Sequence, residues 1–456
     1  MRSDLTLKTL SGAPVAVLGF GRSGRSVTDY LLSHGICPTV YEQAPLSPEL
    51  TSAYTANGVR FCREWPHTFP EGVLVRSPGI RPDLPAIRRA LACGAMLTGE
   101  CDLFLSACPA TTIGVTGSDG KTTTANMIAA LLRASGRKVL LGGNNGGALL
   151  SQLDTLHTGD FAVVELSSFQ LMTAPAPEVA VLTNLTPNHL NWHTDYEEYA
   201  SAKCRICHGA SRLVLNAGCP ASREIGKRAS AQITWFAAAP VPILPDGWET
   251  SFVMAKGDVL TVRTGSTDRH VRAFADFPLK GRHNRENFAA AVAALENLLS
   301  DAEILAVARS FRGVPHRMQC VGHVRGVCFI NSSIDTSPTR TAAALCAMDA
   351  PPIVIAGGRG KGIPLDPLAE TLATRARAVF LYGETAPQIS ALLGDRIPCC
   401  VKEDFRDCFL AAAAHARAGD TVLLSPGCTA FDQFRDFEER GECFCRLVEE
   451  LAKERI

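Results

Sequence analysis

The chain has 456 residues, and its 45 lysines and arginines are balanced by 45 aspartates and glutamates. At roughly 150 residues per domain the length predicts three domains, and the charge balance excludes the strong field with which polybasic proteins attract nucleic acid or anionic membranes. We therefore expect neither as a partner. The segment MRSDLTLKTLSGAPVAVLGF has charges within its short apolar runs, unlike a signal peptide or a membrane span. The 17 cysteines of the protein are scattered along the whole chain. This distribution fits a reducing compartment, and we expect a cytoplasmic protein.

The first segment begins with an apolar strand pattern that runs into glycines. In VAVLGFGRSG, Gly19, Gly21 and Gly24 match G-x-G-x-x-G, and a helical stretch follows. Glu42 closes the next strand pattern, PTVYE, about where dinucleotide-binding folds place a ribose-binding acid. The pattern predicts a βαβ unit that binds a nucleotide diphosphate, because amides at a helix N-terminus bind a diphosphate whatever the rest of the ligand. The alternative is a glycine turn without a ligand.

The second segment contains a phosphate-loop pattern with unusual spacing, TGSDGKTTT. The standard pattern has a glycine five residues before its Gly-Lys pair, where this chain has Val115. Even so, Gly117 and Gly120 allow backbone amides to close on phosphate oxygens, Lys121 adds a positive charge, and the Thr122 hydroxyl is placed for Mg²⁺. A strand pattern precedes the loop and a helical pattern follows it. The loop therefore predicts binding of a nucleoside triphosphate.

Strand and helix patterns alternate along the rest of the chain, at KVLLGG, FAVVELS, VAVLTNL and RLVLN and again at CFINSS, PIVIAGG, AVFLYG and DTVLLSPG. This alternation predicts mostly parallel sheets covered by helices on both faces. The region Trp235–Phe277 has the pattern of a small antiparallel addition. The predicted fold is α/β with three domains: a Rossmann-like domain over 1–107, a central P-loop-type ATPase domain over 108–312 and a second Rossmann-like domain over 313–456. We place a linker near Leu103–Ala110.

Two strand ends of the second segment have groups suited to a metal. Glu165 ends FAVVE and His189 follows the next strand, and the pair could complete a Mg²⁺ shell, although an edge glutamate and a capping histidine explain the spacing equally well. His189 and His193 lack the glutamate of H-E-x-x-H, which argues against a zinc hydrolase. On its own context, Lys203 is an ordinary exposed helix lysine. The pattern CRICH over Cys204–His208 matches haem attachment, but such patterns arise by chance in a cysteine-rich chain.

In order, the motifs GVTGSDGKTT, ELSSFQL, NLTPNHL, HNRENFAAA, GVPHRM, NSSIDTSPTRT, GGRGKG and SPGCTAFDQF resemble those of the Mur ligase family over essentially the whole chain. The family loop has the spacing T-G-x-x-G-K-S/T, which accounts for Val115. The resemblance implies an ATP-dependent amide ligase of peptidoglycan precursor synthesis. ELSSFQL and SPGCTAFDQF resemble most the member that joins D-glutamate to UDP-N-acetylmuramoyl-L-alanine through an acyl phosphate.

The resemblance also implies an ATP and metal site, with Lys121, Lys203 and His189 as its catalytic residues. Two Mg²⁺ ions would be held by Thr122, Glu165, His189 and Lys203, the last as a carbamate. ATP would be bound by Thr116, Gly117, Ser118, Asp119, Gly120, Lys121, Thr122, Thr123, Asn284, Asn287, His316 and Arg317.

Further residues are assigned to the two other substrates by the resemblance. UDP would be bound by Gly21, Arg22, Glu42, Ser77 and Gly79. Asn144 would contact the muramoyl-alanine part. Thr336 and Lys361 would hold the side-chain carboxylate of D-glutamate, and the backbone near Phe437 the other carboxylate. We expect a monomer.

The chain departs from the family pattern at four positions. Asn188 precedes the metal histidine where relatives often have aspartate, Ile334 and Asp335 replace a lysine-containing version, and Ala430 aligns with a glutamate-binding serine. Three alternatives therefore stay open: another Mur ligase, a ligase similar to folylpolyglutamate synthase, or a nucleotide-binding regulator without activity. The last is disfavoured because a mere binder does not need the full metal set.

Overall fold

The computed structural model describes residues 10–144, 149–187, 189, 192–241, 245, 248, 250–279 and 281–453. The chain divides into two compact units, Met1–Phe311 and Arg312–Ile456. The second unit begins one residue before the predicted third domain, whereas the division predicted within the first unit stays a prediction. No helix in the described part of the chain is long and apolar enough to cross a membrane.

The first sheet has five parallel strands in the order β3-β2-β1-β4-β5. Its strands are β1 (Val15–Leu18), β2 (Thr39–Tyr41), β3 (Arg60–Cys62), β4 (Val73–Arg76) and β5 (Met96–Thr98). The helices are α1 (Arg22–Ser33), α2 (Pro48–Thr55), α3 (Pro85–Ala92) and α4 (Glu100–Ala107). All residues of β1 and β4 are buried, as expected for central strands of a parallel sheet covered on both faces.

The predicted linker near Leu103–Ala110 is wrong over most of its length. Its first five residues are the last five of the eight-residue α4, and Leu103, Phe104 and Leu105 are buried in a hydrophobic core. Those apolar side chains stabilise a helix because burying them removes a large apolar area from water. The connection between α4 and the next strand is therefore only three residues long.

The middle sheet has nine strands in the order β14-β13-β12-β11-β10-β9-β6-β8-β7. They are β6 (Thr111–Thr116), β7 (Val139–Gly143), β8 (Phe161–Glu165), β9 (Val179–Leu182), β10 (Arg212–Asn216), β11 (Gln232–Ala238), β12 (Ser251–Lys256), β13 (Val259–Thr264) and β14 (Thr267–Val271). Its helices are α5 (Lys121–Ala134), the short α6 (Ser168–Leu171), α7 (Tyr196–Cys204), α8 (Pro220–Arg228), α9 (Arg282–Leu295) and α10 (Asp301–Ser310).

The antiparallel addition predicted over Trp235–Phe277 is smaller than expected. Strand β11 pairs in parallel with both β10 and β12, and antiparallel pairing begins only between β12 and β13. Five consecutive residues of β11, Thr234–Ala238, are buried. Such a continuous run is typical of a central strand covered on both faces.

The second unit contains a six-stranded sheet in the order β15-β16-β20-β17-β18-β19. Its strands are β15 (Gln319–Val324), β16 (Val327–Asn331), β17 (Ile353–Gly357), β18 (Ala378–Tyr382), β19 (Cys399–Val401) and β20 (Thr421–Gly427). Its helices are α11 (Pro338–Cys346), α12 (Asp366–Arg375), α13 (Ala386–Leu393), α14 (Phe405–His415) and α15 (Phe437–Lys453). Only β15 runs antiparallel to its neighbour among the described strands of this sheet. The predicted α/β class with mostly parallel sheets is confirmed.

The order of the middle sheet positions the site. Strands β9, β6 and β8 are neighbours and parallel, so their carboxyl ends lie at one edge. The loops that follow them therefore come together at the place where open α/β sheets bind ligands.

Candidate active site

The loop after β6 requires glycine at its first turn. Gly117 has φ +149°, and a Cβ placed there would lie 1.9 Å from Thr183 Oγ1. Gly120 lies against α9, because a Cβ there would be 2.4 Å from Asn287 Oδ1. The loop thus packs closely against the segment that follows β9 and against helix α9.

The loop is also fixed by hydrogen bonds from the segment after β9. The amides of Ser118 and Asp119 donate to the Asn184 backbone oxygen (3.0 Å) and Oδ1 (2.9 Å). The Thr183 hydroxyl donates to the Asp119 oxygen at 2.6 Å, and the Thr186 amide to Ser118 Oγ at 2.8 Å. The sequence interpretation missed Thr183 and Asn184. Their position immediately after a buried strand was the available signal.

Lys121 begins α5 and turns its ammonium back over the loop. Its Nζ donates to the backbone oxygens of Gly117 and Ser118, both at 2.9 Å. Thr122, which is buried, and Thr123 follow in the first turn of the helix. Positive charge and a helix N-terminus therefore coincide at this loop, an arrangement that favours bound phosphate.

Lys203 is buried in α7, unlike the exposed lysine that its helix alone suggests. Its side chain is 1 % exposed, Nζ donates to Thr116 Oγ1 at 3.3 Å, and the ammonium lies 5.1 Å from the centre of the Tyr199 ring. Burial, and then the positive charge of Lys121, lower the pKa of Lys203 to about 7, against an opposing effect of Glu165. Its environment therefore favours the neutral amine more than water does.

Glu165 ends β8 and is 2 % exposed. Its Oε1 accepts a hydrogen bond from Asn144 Nδ2 at 3.1 Å, whereas its buried Oε2 has no hydrogen-bond partner among the described residues. Leaving a buried carboxylate oxygen unsatisfied is costly, and a divalent cation with oxygen ligands relieves that cost. The donor set at this edge therefore fits Mg²⁺. Asn144, assigned to a substrate, lies directly beside the predicted metal ligand.

His189 has a left-handed backbone, with φ +55°, and an exposed side chain. Its ring lies 5.2 Å from Phe169 and 6.4 Å from Tyr199, centre to centre. Desolvation by neighbouring groups, and then the charges of Lys203 and Lys121, lower its pKa. The lowered pKa favours the neutral imidazole, which is the form that ligates metals. Asn188 lies outside the described residues.

Two other patterns of the second segment have structural explanations. His193 is buried and hydrogen-bonded through both ring nitrogens, to Ser168 Oγ at 2.9 Å and Glu198 Oε2 at 3.1 Å, as expected for a core histidine. In CRICH, Cys207 is buried, and burial raises the pKa of its thiol to about 12. Such a thiol is a poor nucleophile at neutral pH.

The predicted UDP loop after β1 packs on its own backbone at Gly24 and against Ser77 at Gly19. A Cβ at Gly24 would lie 2.0 Å from the Gly19 backbone oxygen, and the same oxygen accepts from Ser77 Oγ at 3.2 Å. The Phe20 amide donates to Glu42 Oε2 at 2.7 Å. Glu42, predicted to contact the ligand, therefore also fixes the loop. Gly21 and Arg22 are exposed at the start of α1.

The loop after β4 is bound to the middle-sheet residues that follow His189. Trp192 Nε1 donates to the Gly79 oxygen at 2.9 Å, and Arg81 Nη1 donates to the Trp192 oxygen at 2.7 Å. Arg81 Nη2 also donates to Glu198 Oε1 at 2.7 Å, which holds the pKa of Glu198 at about 2. The predicted UDP residue Gly79 is therefore hydrogen-bonded to the loop that contains the predicted metal ligand His189. No sequence motif indicated Arg81.

The predicted adenine-side residues fall on both units. Asn284 and Asn287 lie in the first turns of α9. In the second unit, His316 is half-buried: its Nδ1 is 3.1 Å from Asn331 Nδ2, and a Cβ on Gly441 would lie 2.1 Å from that nitrogen. Arg317, next along the chain, is exposed. His316 therefore also has a packing role within its own unit.

The predicted D-glutamate residues share one region of the second unit. Lys361 Nζ donates to Thr336 Oγ1 at 3.0 Å, so the two side chains assigned to one carboxylate are in contact. Ser333 Oγ donates to the Phe437 oxygen at 2.8 Å. Asp335, one of the departures, is buried and accepts from Ser425 Oγ at 2.9 Å. Asp335 therefore stabilises the carboxyl end of β20 through this hydrogen bond.

Arg440 is a structural residue that the sequence interpretation missed. It is fully buried in α15 and donates to Ser333 Oγ at 2.9 Å, the Ser333 oxygen at 2.9 Å, the Tyr382 hydroxyl at 3.1 Å and the Cys428 oxygen at 3.2 Å. One side chain thus fixes the carboxyl ends of three strands. Ala430, where a serine was expected, is 2 % exposed, so an added hydroxyl there would lie inside the packed structure.

A glycine loop with a lysine, beside a buried glutamate and a buried lysine at the carboxyl edge of a parallel sheet, is the site expected of a phosphate-binding α/β protein. Family models match along the chain: Mur ligase MurD-like, N-terminal domain at residues 13–99, Mur ligase middle domain at 115–295, and Mur ligase, glutamate ligase domain at 316–428. The chain belongs to the Mur ligase family, and the predicted three-domain architecture is confirmed.

Relatives cover almost the whole chain. The UDP-N-acetylmuramoylalanine–D-glutamate ligase of Acetivibrio thermocellus is 37 % identical over an alignment of 466 positions, gaps included, which covers 97 % of this chain and 98 % of that protein. The protein of the same name from Symbiobacterium thermophilum is 37 % identical over 452 residues, 96 % of this chain and 98 % of that protein. A solved structure, UDP-N-acetylmuramate-alanine ligase from Thermotoga maritima, shares the fold, with TM-score 0.51, 17 % identity and coverage of 96 % and 99 %.

Proposed function

We propose that the chain is an ATP-dependent ligase that joins D-glutamate to UDP-N-acetylmuramoyl-L-alanine in the synthesis of peptidoglycan precursors. The observation that carries this proposal is 37 % identity, over nearly the full length of both chains, to a ligase of that name. Such a substrate pair supports a cytoplasmic location, and we propose that the protein acts there as a monomer. The domains proposed are 1–107, 108–312 and 313–456.

The reaction needs an activated carboxylate, because an ionised carboxylate is a poor electrophile. A carboxylate oxygen of UDP-N-acetylmuramoyl-L-alanine attacks the γ-phosphorus of ATP, and ADP leaves. The neutral amine of D-glutamate then attacks the acyl carbon, phosphate leaves, and the nitrogen loses a proton. Positioning and charge neutralisation supply most of the catalysis of such a reaction. Lys121 and the loop Thr116–Gly120 supply both at the transferred phosphoryl group.

Thr122, Glu165 and His189 would hold Mg²⁺ at two sites. When bound, Mg²⁺ neutralises phosphoryl charge. The unsatisfied Glu165 Oε2 and the low pKa of the His189 imidazole fit this role. We propose that Lys203 acts as a carbamate: its ammonium loses a proton, the neutral Nζ then adds CO₂ and loses a second proton, and a buried cation becomes a carbamate anion. Its burial and its pKa near 7 support that chemistry.

The substrates are assigned to separate regions. ATP would lie on the loop with Asn284, Asn287, His316 and Arg317 near its nucleoside. Gly21, Arg22, Glu42, Ser77 and Gly79 would hold UDP, and Asn144 the muramoyl-alanine part. Lys361 and Thr336 would bind the side-chain carboxylate of D-glutamate, and the backbone at Phe437 the other. The contact between Lys361 and Thr336 supports the last assignment.

The test is phosphate release from ATP with UDP-N-acetylmuramoyl-L-alanine, measured separately with D-glutamate, L-glutamate, L-alanine and diaminopimelate. We expect release with D-glutamate and little with the others. Release with another amino acid instead would identify a different ligase of the family. ATP binding without release for any amino acid would indicate a regulator without activity.

A further inference from the structure

Three potential metal ligands meet on the β15–β16 hairpin, outside every residue assigned to the proposed reaction. Cys320 Sγ lies 3.8 Å from Cys328 Sγ. The two sulfurs and a ring nitrogen of His323 all lie within 4.8 Å of one another. Both cysteines are half-buried and the histidine is exposed, so the group is accessible from solvent.

A β-bulge brings the three side chains together. His323 pairs with Cys328 and Cys320 pairs with Ile330, with an irregularity between Cys320 and Gly322. In a regular strand, residues 320 and 323 point to opposite faces because side chains alternate. The extra residue restores both to the face shared by Cys328 and Ile330. Bulges often redirect a side chain in this way at functional sites.

We propose that Cys320, His323 and Cys328 form a binding site for a thiophilic divalent cation of the zinc type, with the fourth position open to water or an external ligand. Zinc–sulfur bonds of about 2.3 Å in a tetrahedron place two sulfurs roughly 3.8 Å apart. The observed separation therefore needs almost no adjustment. Two thiolates and an imidazole are also donors that bind zinc in preference to Mg²⁺.

The proposal differs from a disulfide switch. A disulfide needs the sulfurs to approach to about 2.0 Å and an oxidant to take two electrons, and it gives His323 no role. A metal site uses all three groups, with a small movement of the exposed His323 side chain, and releases the thiol protons on binding.

The experiment uses the full-length chain, reduced and metal-free, titrated with Co²⁺ and then Zn²⁺. We expect thiolate-to-cobalt absorption that saturates at one equivalent and disappears when Zn²⁺ displaces Co²⁺. Cys328→Ser and His323→Gln should each weaken binding by about tenfold or more. Cys346→Ser, an exposed cysteine on α11, is the matched control and should bind as the wild type does.

His323→Gln keeps the proposal testable if the cysteine variant does not fold, because His323 is exposed and its loss leaves the hairpin core unchanged. Identical Co²⁺ titrations for the wild type and His323→Gln would overturn the proposal. So would a wild-type protein that shows no thiolate-to-cobalt absorption although both thiols are free. Neither result bears on D-glutamate-dependent phosphate release.

Discussion

Two glycine loops of the first unit join a strand to a helix, and they are built differently. The loop Gly19–Gly24 packs against its own backbone at Gly24 and against Ser77 at Gly19, and the carboxylate of Glu42 accepts a hydrogen bond from its Phe20 amide. The loop Gly117–Gly120 is held by side chains of other elements, Thr183 and Asn287, and has a lysine folded over it.

The difference is what we expect if one local motif serves the two kinds of phosphate that we propose. Glu42 puts a negative charge beside the first loop, which suits a nucleotide recognised partly through its sugar. Lys121 puts a positive charge beside the second, which suits the denser charge of a triphosphate. The glycine pattern alone does not separate the two uses, and the neighbouring charged residue does.

The largest effect is expected at the second loop. Lys121→Ala should lower kcat for D-glutamate-dependent phosphate release by about 1,000-fold, because a charge that stabilises the transferred phosphoryl group is lost. Lys138→Ala, an exposed lysine beyond α5, should stay within about twofold of wild type. Near-normal activity of Lys121→Ala would mean that the loop does not bind the reacting phosphate.

Lys203→Ala should lower kcat by about 100-fold, with partial recovery in a short-chain carboxylate such as formate. The added anion would replace the carboxylate of the proposed carbamate. Lys121→Ala is the control, since formate cannot replace a cation. Recovery of both variants, or full activity of Lys203→Ala without formate, would contradict the carbamate role.

Gly117→Ala should raise the KM for ATP about tenfold or more and leave the KM for UDP-N-acetylmuramoyl-L-alanine unchanged. The new Cβ would lie 1.9 Å from Thr183 Oγ1, so the loop must shift. Steady-state kinetics with each substrate varied separately measures this. Equal changes in both KM values would show that the two loops are not independent.

Gly24→Ala should have the opposite selectivity, raising the KM for the UDP substrate and destabilising the chain by about 1–3 kcal/mol. Its Cβ would lie 2.0 Å from a backbone oxygen that cannot move aside cheaply. Gly21→Ala, with open space and φ −72°, is the stability control and should unfold within about 0.5 kcal/mol of wild type in urea.

The smallest effect is expected at the ion pair between Arg81, in the loop after β4, and Glu198 of α7. Glu198→Gln should destabilise the chain by about 1–2 kcal/mol at pH 7, because Glu198 pairs with Arg81. The pKa of Glu198 is about 2 in the folded chain, below its usual 4.5. Its contribution is therefore present above pH 4.5 and is lost as the pH falls towards 2. Urea unfolding at several pH values should show the variant and wild type converge in that window.

Much of the fold followed from the sequence because buried parallel strands are continuous apolar runs. VAVLG, FAVVE and IVIAG needed no tertiary information. Helix α4 was missed because its apolar residues are buried almost all round, so they show little helical periodicity. Strand β15 was missed because Gly322 and the bulge interrupt its alternation.

The site was less accessible to prediction, for a physical reason. The chemistry of Lys203 depends on burial beside Thr116, which lies 87 residues earlier in the chain. Asn184 fixes the phosphate loop through hydrogen bonds to Ser118 and Asp119 that no local motif specifies. Spacing identifies which residue types are present, whereas their environment comes only from the tertiary structure.

The indole of Trp192 provides an intrinsic fluorescence signal close to the loop after β4. It donates to the Gly79 oxygen, lies 5.0 Å below the Arg81 guanidinium and is 4.2 Å from Phe169, centre to centre. Only four tryptophans are present in the chain. Arrival of a uridine nucleotide at the Gly79 loop should therefore change the emission of Trp192, and substrate binding can be followed by fluorescence without a label or turnover.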